Sequence, residues 1–177
     1  EGQTKEVQFS FDTNHGTDDY LKIIEGKTAS LIKTSAKLGA MASGCKQETI
    51  SSISKWAWHS GIIFQITDDI LDLSSDEKTL GKPSGNDIIE GTYTLPVLIA
   101  LEKYPEKINK ILSDVSENKV GVNEVINEFN NDEIISESKL FLKTHLEKSE
   151  SAAMEIDNKI VKNILLDINR YLIERSN

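Results

Sequence analysis

The segment Phe64–Asp72, "FQITDDILD", sets Gln65, Asp68, Asp69 and Asp72 at i, i+3, i+4 and i+7. On a helix that spacing makes one polar stripe over two turns. The flanking positions carry Ile62, Ile66, Ile70, Leu71 and Leu73. Clustered carboxylates repel one another and tend to take up protons. Burying an uncompensated one costs several kcal/mol, by a rough general estimate. A solvated stripe would escape both penalties, and it is the competing reading for any bare Asp-Asp-x-x-Asp. This helix, however, has little other polar surface to offer water. A cation is the remaining solution. Oxygen-only ligands on successive turns suit Mg²⁺, which keeps waters and accepts phosphate oxygens. The stripe holds no His or Cys, which argues against zinc.

Two further segments point to an anion beside that cation. Lys27, in "EGKTASL", lies on the shoulder of an apolar helix face; alone, a lysine there simply reaches out to water. "LGKPSGND", Leu80 to Asp87, combines backbone-freeing glycines with Lys82, which can reach a phosphate. It is not a P-loop, because the Gly-x-x-x-x-Gly-Lys-Ser/Thr spacing is absent.

The elements that position these residues read as helices. The composition is rich in Leu, Ile, Lys, Glu, Asn and Ser, with three prolines and few aromatics. Residues 1–14 read as a helix end and a loop, with Phe9 and Phe11 as anchors. Thr17 is the expected N-cap of the next helix, with Asp18 and Asp19 in its first turn. Leu21, Ile24, Thr28, Leu31, Ser35, Leu38 and Ala42 follow at three-four spacing and predict one inward face, ended near Gly44. A second helix spans about 48–73 and is apolar on more than one side, so it is expected inside the protein. "TLPVLIALEKY" predicts a helix capped by Thr94 with Pro96 in its first turn. Further helices are expected at about 105–112, 122–130, 132–154 and 157–175, the last with Ile160, Ile164, Ile168 and Leu172 at i+4 steps. No strand or repeat is evident, and the fold class is all-α, helix packed on helix.

The net charge of −9 and the lack of a basic stripe argue against nucleic acid. An acidic protein binds an anion only through metal ions or a few placed lysines. One cysteine, Cys45, excludes an internal disulfide framework and suits a reducing cytoplasm. No apolar run reaches the roughly 18 residues of a membrane span. The chain starts at Glu1 without Met, so a missing N-terminal signal says little. His59, Trp56 and Trp58 read as structural residues, and His15 and His145 as solvated ones.

Taken in order, Lys-Thr on a helix, Phe-Gln-x-x-Asp-Asp-x-x-Asp, Gly-Lys-Pro-x-Gly-x-Asp and Thr-Leu-Pro resemble the C-terminal half of the trans-polyprenyl diphosphate synthases. The likeness is to bacterial long-chain enzymes, of hexaprenyl to octaprenyl type, that make quinone side chains such as that of menaquinone. It runs from about Tyr20 to Leu101; beyond that only the helical pattern matches. The resemblance implies an isoprenoid-synthase bundle around a central cavity, with residues 1–177 as the C-terminal portion of a single domain. It implies that Asp68, Asp69 and Asp72 hold Mg²⁺, and that Lys27 and Lys82 bind the diphosphate. Thr28 and Gln65 match residues lining the allylic site. The implied reaction extends an allylic diphosphate with isopentenyl diphosphate, by a homodimer or by a heterodimer with a small subunit. The family's first aspartate motif and its isopentenyl-site basic residues have no counterpart here, so the chain is expected to be a fragment, inactive alone. Thr92 departs from the lysine that many members carry in that slot. The alternatives are a class I terpene cyclase, which shares the ionisation step, and a non-catalytic regulatory subunit of a prenyl synthase. A lipid product would pass to the membrane, although the protein itself carries no transmembrane segment.

Overall fold

The computed structural model describes residues 1–74 and 84–175. In chain order the helices are α1 (Gly2–Gln8), α2 (Thr17–Ile24), a π-helical turn (Glu25–Ala29), α3 (Ser30–Ala42), α4 (Gln47–Ser74) and α5 (Asn86–Ile89). They continue with α6 (Leu95–Lys103), α7 (Pro105–Ser116), α8 (Val122–Val125) with a 3₁₀ turn at Ile126–Glu128, α9 (Asp132–Met154) and α10 (Lys159–Glu174). No strand occurs among the described residues, so the fold is the expected all-α class.

The long helix α4 is the axis of the molecule. It packs along α9 and α3, and also meets α10, α6 and the π turn. That is what its broad apolar perimeter requires: Ala57, Ile62, Ile63 and Ile66 are all fully buried. The main core adds Leu95, Leu98 and Ile99 of α6, Ile108 of α7, Phe129 and Ile134. A smaller cluster joins Trp56 and Ala57 to Ala152, Ala153, Ile156 and Leu165. Thr94 and Pro96 start α6 as expected. Gly44, at φ +69, follows the end of α3 in the left-handed region a glycine adopts without strain. The cap of α2 is Gly16, and Thr17 is the first helical residue.

The inward face predicted across 21–42 breaks midway. Ile24 is buried, but Leu31 and Leu38 are 68% and 58% exposed. Past the break the inward residues are Ala29, Ile32, Ala36 and Ala40. The cause is the π turn. It inserts one residue into the helical count, which rotates every later side chain by about 100° relative to an unbroken α-helix. The prediction for α10 shifts in the same sense. Ile160, Ile164 and Ile168 are exposed, whereas Leu165 and Asn169 are buried. Asn169 faces inward because it bonds there: its Nδ2 donates to Ser149 Oγ at 2.9 Å, and its Oδ1 accepts from Ser60 Oγ at 2.7 Å.

Two histidines expected to be solvated are not. His15 is 7% exposed, with Nδ1 2.7 Å from the Asp12 carbonyl oxygen. His145 is half-buried and pairs with His59, Nδ1 to Nδ1 at 3.1 Å, between α9 and α4. The 122–130 helix resolves into α8 and the short 3₁₀ turn. No described helix is long and apolar enough to cross a membrane.

Candidate functional site

The C-terminal half of α4 borders a cleft of about 320 Å³, closed on its other sides by α1, α2, the π turn and residues 87–94. The π turn carries Lys27 into it and sets Thr28 beside Gln65. Gly61 makes this approach possible: a Cβ there would lie 2.7 Å from the Ala29 Cα. With the two backbones that close, the Thr28 hydroxyl donates to Gln65 Oε1 at 2.8 Å, one turn along α4. A π insertion at a site of this kind is a recurrent functional device. Here it allows α2 to bury Ile23 and Ile24 while α3 still buries Ala40 and half-buries Ala36.

The three aspartates differ in setting. Asp68 is half-buried and lines the cleft. Asp69 is 2% exposed. It accepts from the Tyr20 hydroxyl at 2.6 Å on Oδ2 and from Gln65 Nε2 at 2.9 Å on Oδ1. Burial pushes its carboxyl up to about 7; the bonds from Tyr20 and Gln65 oppose that rise, and the nearby Asp87 and Asp68 add to it. Burial and the Asp69 charge hold the Tyr20 hydroxyl well above its ordinary value, so it remains a proton donor. Asp72 is 3% exposed and lies deeper, and its backbone carbonyl accepts from the Gly85 N–H at 3.0 Å. That bond ties the end of α4 to the turn before α5.

Lys27 lines the cleft and forms an ion pair with Glu6 of α1, Nζ to Oε1 at 2.5 Å. The approach of α1 depends on Gly2, where a Cβ would lie 2.2 Å from the Lys27 backbone nitrogen. Phe9, half-buried, stacks on His15 at 4.8 Å as expected of an anchor, whereas Phe11 lies over Gly91 but stays 54% exposed. Thr92, Tyr93 and Thr94 form the wall opposite α4. Lys82 lies outside the described residues.

Lys27, Gln65, Asp68 and Asp69 thus come together on one cleft, with Thr28 joined to it through Gln65 and Asp72 one turn beyond. Sequence reasoning did not single out Tyr20, Glu6 or Gly61, and it gave Asp87 no role beyond closing the Gly-Lys-Pro-x-Gly-x-Asp motif. Tyr20 carries a weak signal, a phenol on a face that could have held Phe. Glu6 has no signal above that of an ordinary surface acid.

The donor set fits a hard divalent cation. Every ligating atom around Asp68 and Asp69 is oxygen, and the only cleft histidine has Nδ1 against a carbonyl. Among the described residues no three His, Cys, Asp or Glu side chains converge closely enough to enclose a metal. An open site of one or two carboxylates completed by phosphate oxygens, the usual habit of Mg²⁺, needs no such cage.

The Polyprenyl synthetase family model matches residues 1–130. A prenyl transferase of Synechocystis is 42% identical over 105 residues, which is 59% of this chain and 32% of that protein. Heptaprenyl diphosphate synthase component 2 of Bacillus subtilis is 30% identical over 98% of this chain and 50% of its own length. The crystal structure of heptaprenyl diphosphate synthase from Staphylococcus aureus superposes with a TM-score of 0.89 at 31% identity, over 99% of this chain and 56% of that one. The chain therefore spans about half the length of these heptaprenyl relatives. By the family model, the near-complete alignment and the shared all-α architecture, the chain belongs to the polyprenyl synthetase family.

Proposed function

We propose that residues 1–177 form the C-terminal portion of a single polyprenyl synthase domain. The complete protein would extend an allylic diphosphate with isopentenyl diphosphate to a long-chain product for a quinone side chain, in the cytoplasm. The observation that carries this reading is the meeting of Lys27 with Gln65, Asp68 and Asp69 across one cleft, with Thr28 bonded to that Gln65. Lys82 is assigned to the same diphosphate from its sequence alone.

The residues divide the work as follows. Asp68 offers a carboxylate on the cleft wall, and Asp69 and Asp72 set the negative field behind it. Mg²⁺, when bound, neutralises the diphosphate and stabilises the charge that builds on it as the leaving group. Lys27 adds a fixed positive charge at the same place. The allylic carbon–oxygen bond breaks; the isopentenyl double bond attacks the resulting cation, and a proton is lost to the departing diphosphate. No side-chain base is required. Ile23 and Ile24 line the cleft, but its wall is otherwise mainly polar, so the apolar surface that keeps water from quenching the cation would be supplied by the rest of the complete domain.

The name of the Bacillus subtilis relative, a component 2, supports assembly with a second subunit, which in this reading is a small one; a homodimer is the other arrangement. The test is incubation of the protein as encoded with Mg²⁺, isopentenyl diphosphate and farnesyl diphosphate. Chain extension, alone or with a partner subunit, is expected. A cyclic hydrocarbon product would assign a terpene cyclase instead. No product in any combination would leave a regulatory subunit. Lys82→Ala is expected to raise the KM for the allylic diphosphate, and an unchanged KM would remove Lys82 from the site.

A further inference from the structure

Tyr20 sits near the start of α2, 4% exposed, with its ring in the main core. Core packing alone would be met by phenylalanine. The hydroxyl instead crosses to α4 and meets Asp69 Oδ2 at 2.6 Å, a short bond typical of a charged acceptor. The other oxygen, Oδ1, accepts from Gln65 Nε2 at 2.9 Å. The orientation of that amide is set in turn, because its Oε1 already accepts from Thr28. Each oxygen of Asp69 is thus held by a donor from a different side chain, one on α2 and one on α4. Asp68 differs: among the described residues no hydrogen bond reaches its carboxylate, although it lines the cleft.

We infer that Tyr20 is a positioning residue of the diphosphate site, which with Gln65 immobilises the Asp69 carboxylate and leaves Asp68 as the adaptable ligand of the stripe. Asp68 can then turn to meet whatever cation a diphosphate brings, while Asp69 keeps one orientation. Outer-layer partners of this kind fix a ligand's direction and tune its affinity. The inference rests on the reading of the cleft as a diphosphate site and adds to it a residue and a division of roles.

The experiment uses the protein as encoded, with Mn²⁺ as the spectroscopic probe and inorganic pyrophosphate as the anion. Free Mn²⁺ is followed by electron paramagnetic resonance, and folding by circular dichroism and thermal melting. The wild type is expected to take up Mn²⁺ with pyrophosphate. Tyr20→Phe should weaken that uptake about tenfold or more, the usual cost of losing an outer-layer partner. Gln65→Met should weaken it similarly. In an Asp69→Asn background Tyr20→Phe should have little further effect, whereas a mere folding defect would add to the loss. Wild-type Mn²⁺ affinity in either Tyr20→Phe or Gln65→Met overturns the inference while the diphosphate reading survives. Should the wild type itself take up no Mn²⁺ with pyrophosphate, the diphosphate reading falls and the inference with it.

Discussion

Helix α4 carries two polar clusters, one near its middle and one in its C-terminal half, and they behave differently. Near its middle, Ser60 forms a closed circuit with Ser149 and Asn169, at 2.7–2.9 Å, and His59 meets His145. Every partner there belongs to the protein, the Trp56 carbonyl included, and the result is a three-helix clasp among α4, α9 and α10. Two turns further on, Gln65, Asp68 and Asp69 border open space instead. Buried polar groups that satisfy one another hold a fold together. A group of like charges beside a cleft must be completed from outside. The contrast separates structural polarity from functional polarity on a single helix.

The largest effect expected from breaking the contrast is at Asp68. Asp68→Ala should lower turnover of the complete enzyme by roughly a hundredfold or more while leaving helicity intact. Turnover like that of the wild type would count heavily against the metal assignment. At the clasp the reverse should hold. Asn169→Leu opens the circuit, leaving Ser60 and Ser149 only each other and the Trp56 carbonyl, and should cost about 1–3 kcal/mol of stability, measured by urea unfolding, with the site intact below the melting range. Gly61→Ala lies between the two regions. Its Cβ would crowd the Ala29 backbone, at an expected cost of about 1–3 kcal/mol, and would also separate Thr28 from Gln65.

The smallest effects are in pH, and their signs are opposite at the two clusters. Burial holds His145 down to about 4, aided by His59 and Lys148, and burial also lowers His59. The unfolded chain therefore binds more protons than the folded one between about 4 and 6.5, and stability is lost as pH falls through that window. Asp69 runs the other way. Its folded value of about 7 lies above the ordinary 3.8, so without metal, stability is lost as pH rises between them. Melting curves in a chelator should show Asp69→Asn gaining stability at neutral pH but not near pH 4. His145→Gln should flatten only the acid side. Identical pH profiles in all three proteins would contradict both assignments.

What the sequence disclosed follows from the range over which each signal acts. The Asp68–Asp69–Asp72 stripe and the length of α4 come from local spacing, and both are present as expected. The Tyr20–Asp69 bond joins residues 49 apart, and the His59–His145 pair 86, so no periodicity announces either. The π turn escaped for another reason. Its sequence, "EGKTA", reads as ordinary helix, and only tertiary packing of α1 and α4 against it reveals the extra residue. That one insertion turned Leu31 and Leu38 outward against a regular three-four pattern.

The contact between Glu6 and Lys27 sets a threshold for admission to the cleft. The lysine already has a carboxylate partner, so a singly charged newcomer, such as a fatty acid, gains nothing by replacing it. A head group bearing several negative charges outbids that resident acid, and can bring its own counterions to the neighbouring aspartates. On the proposed reading, free prenyl alcohols and fatty acids should therefore bind this cleft far more weakly than a prenyl diphosphate.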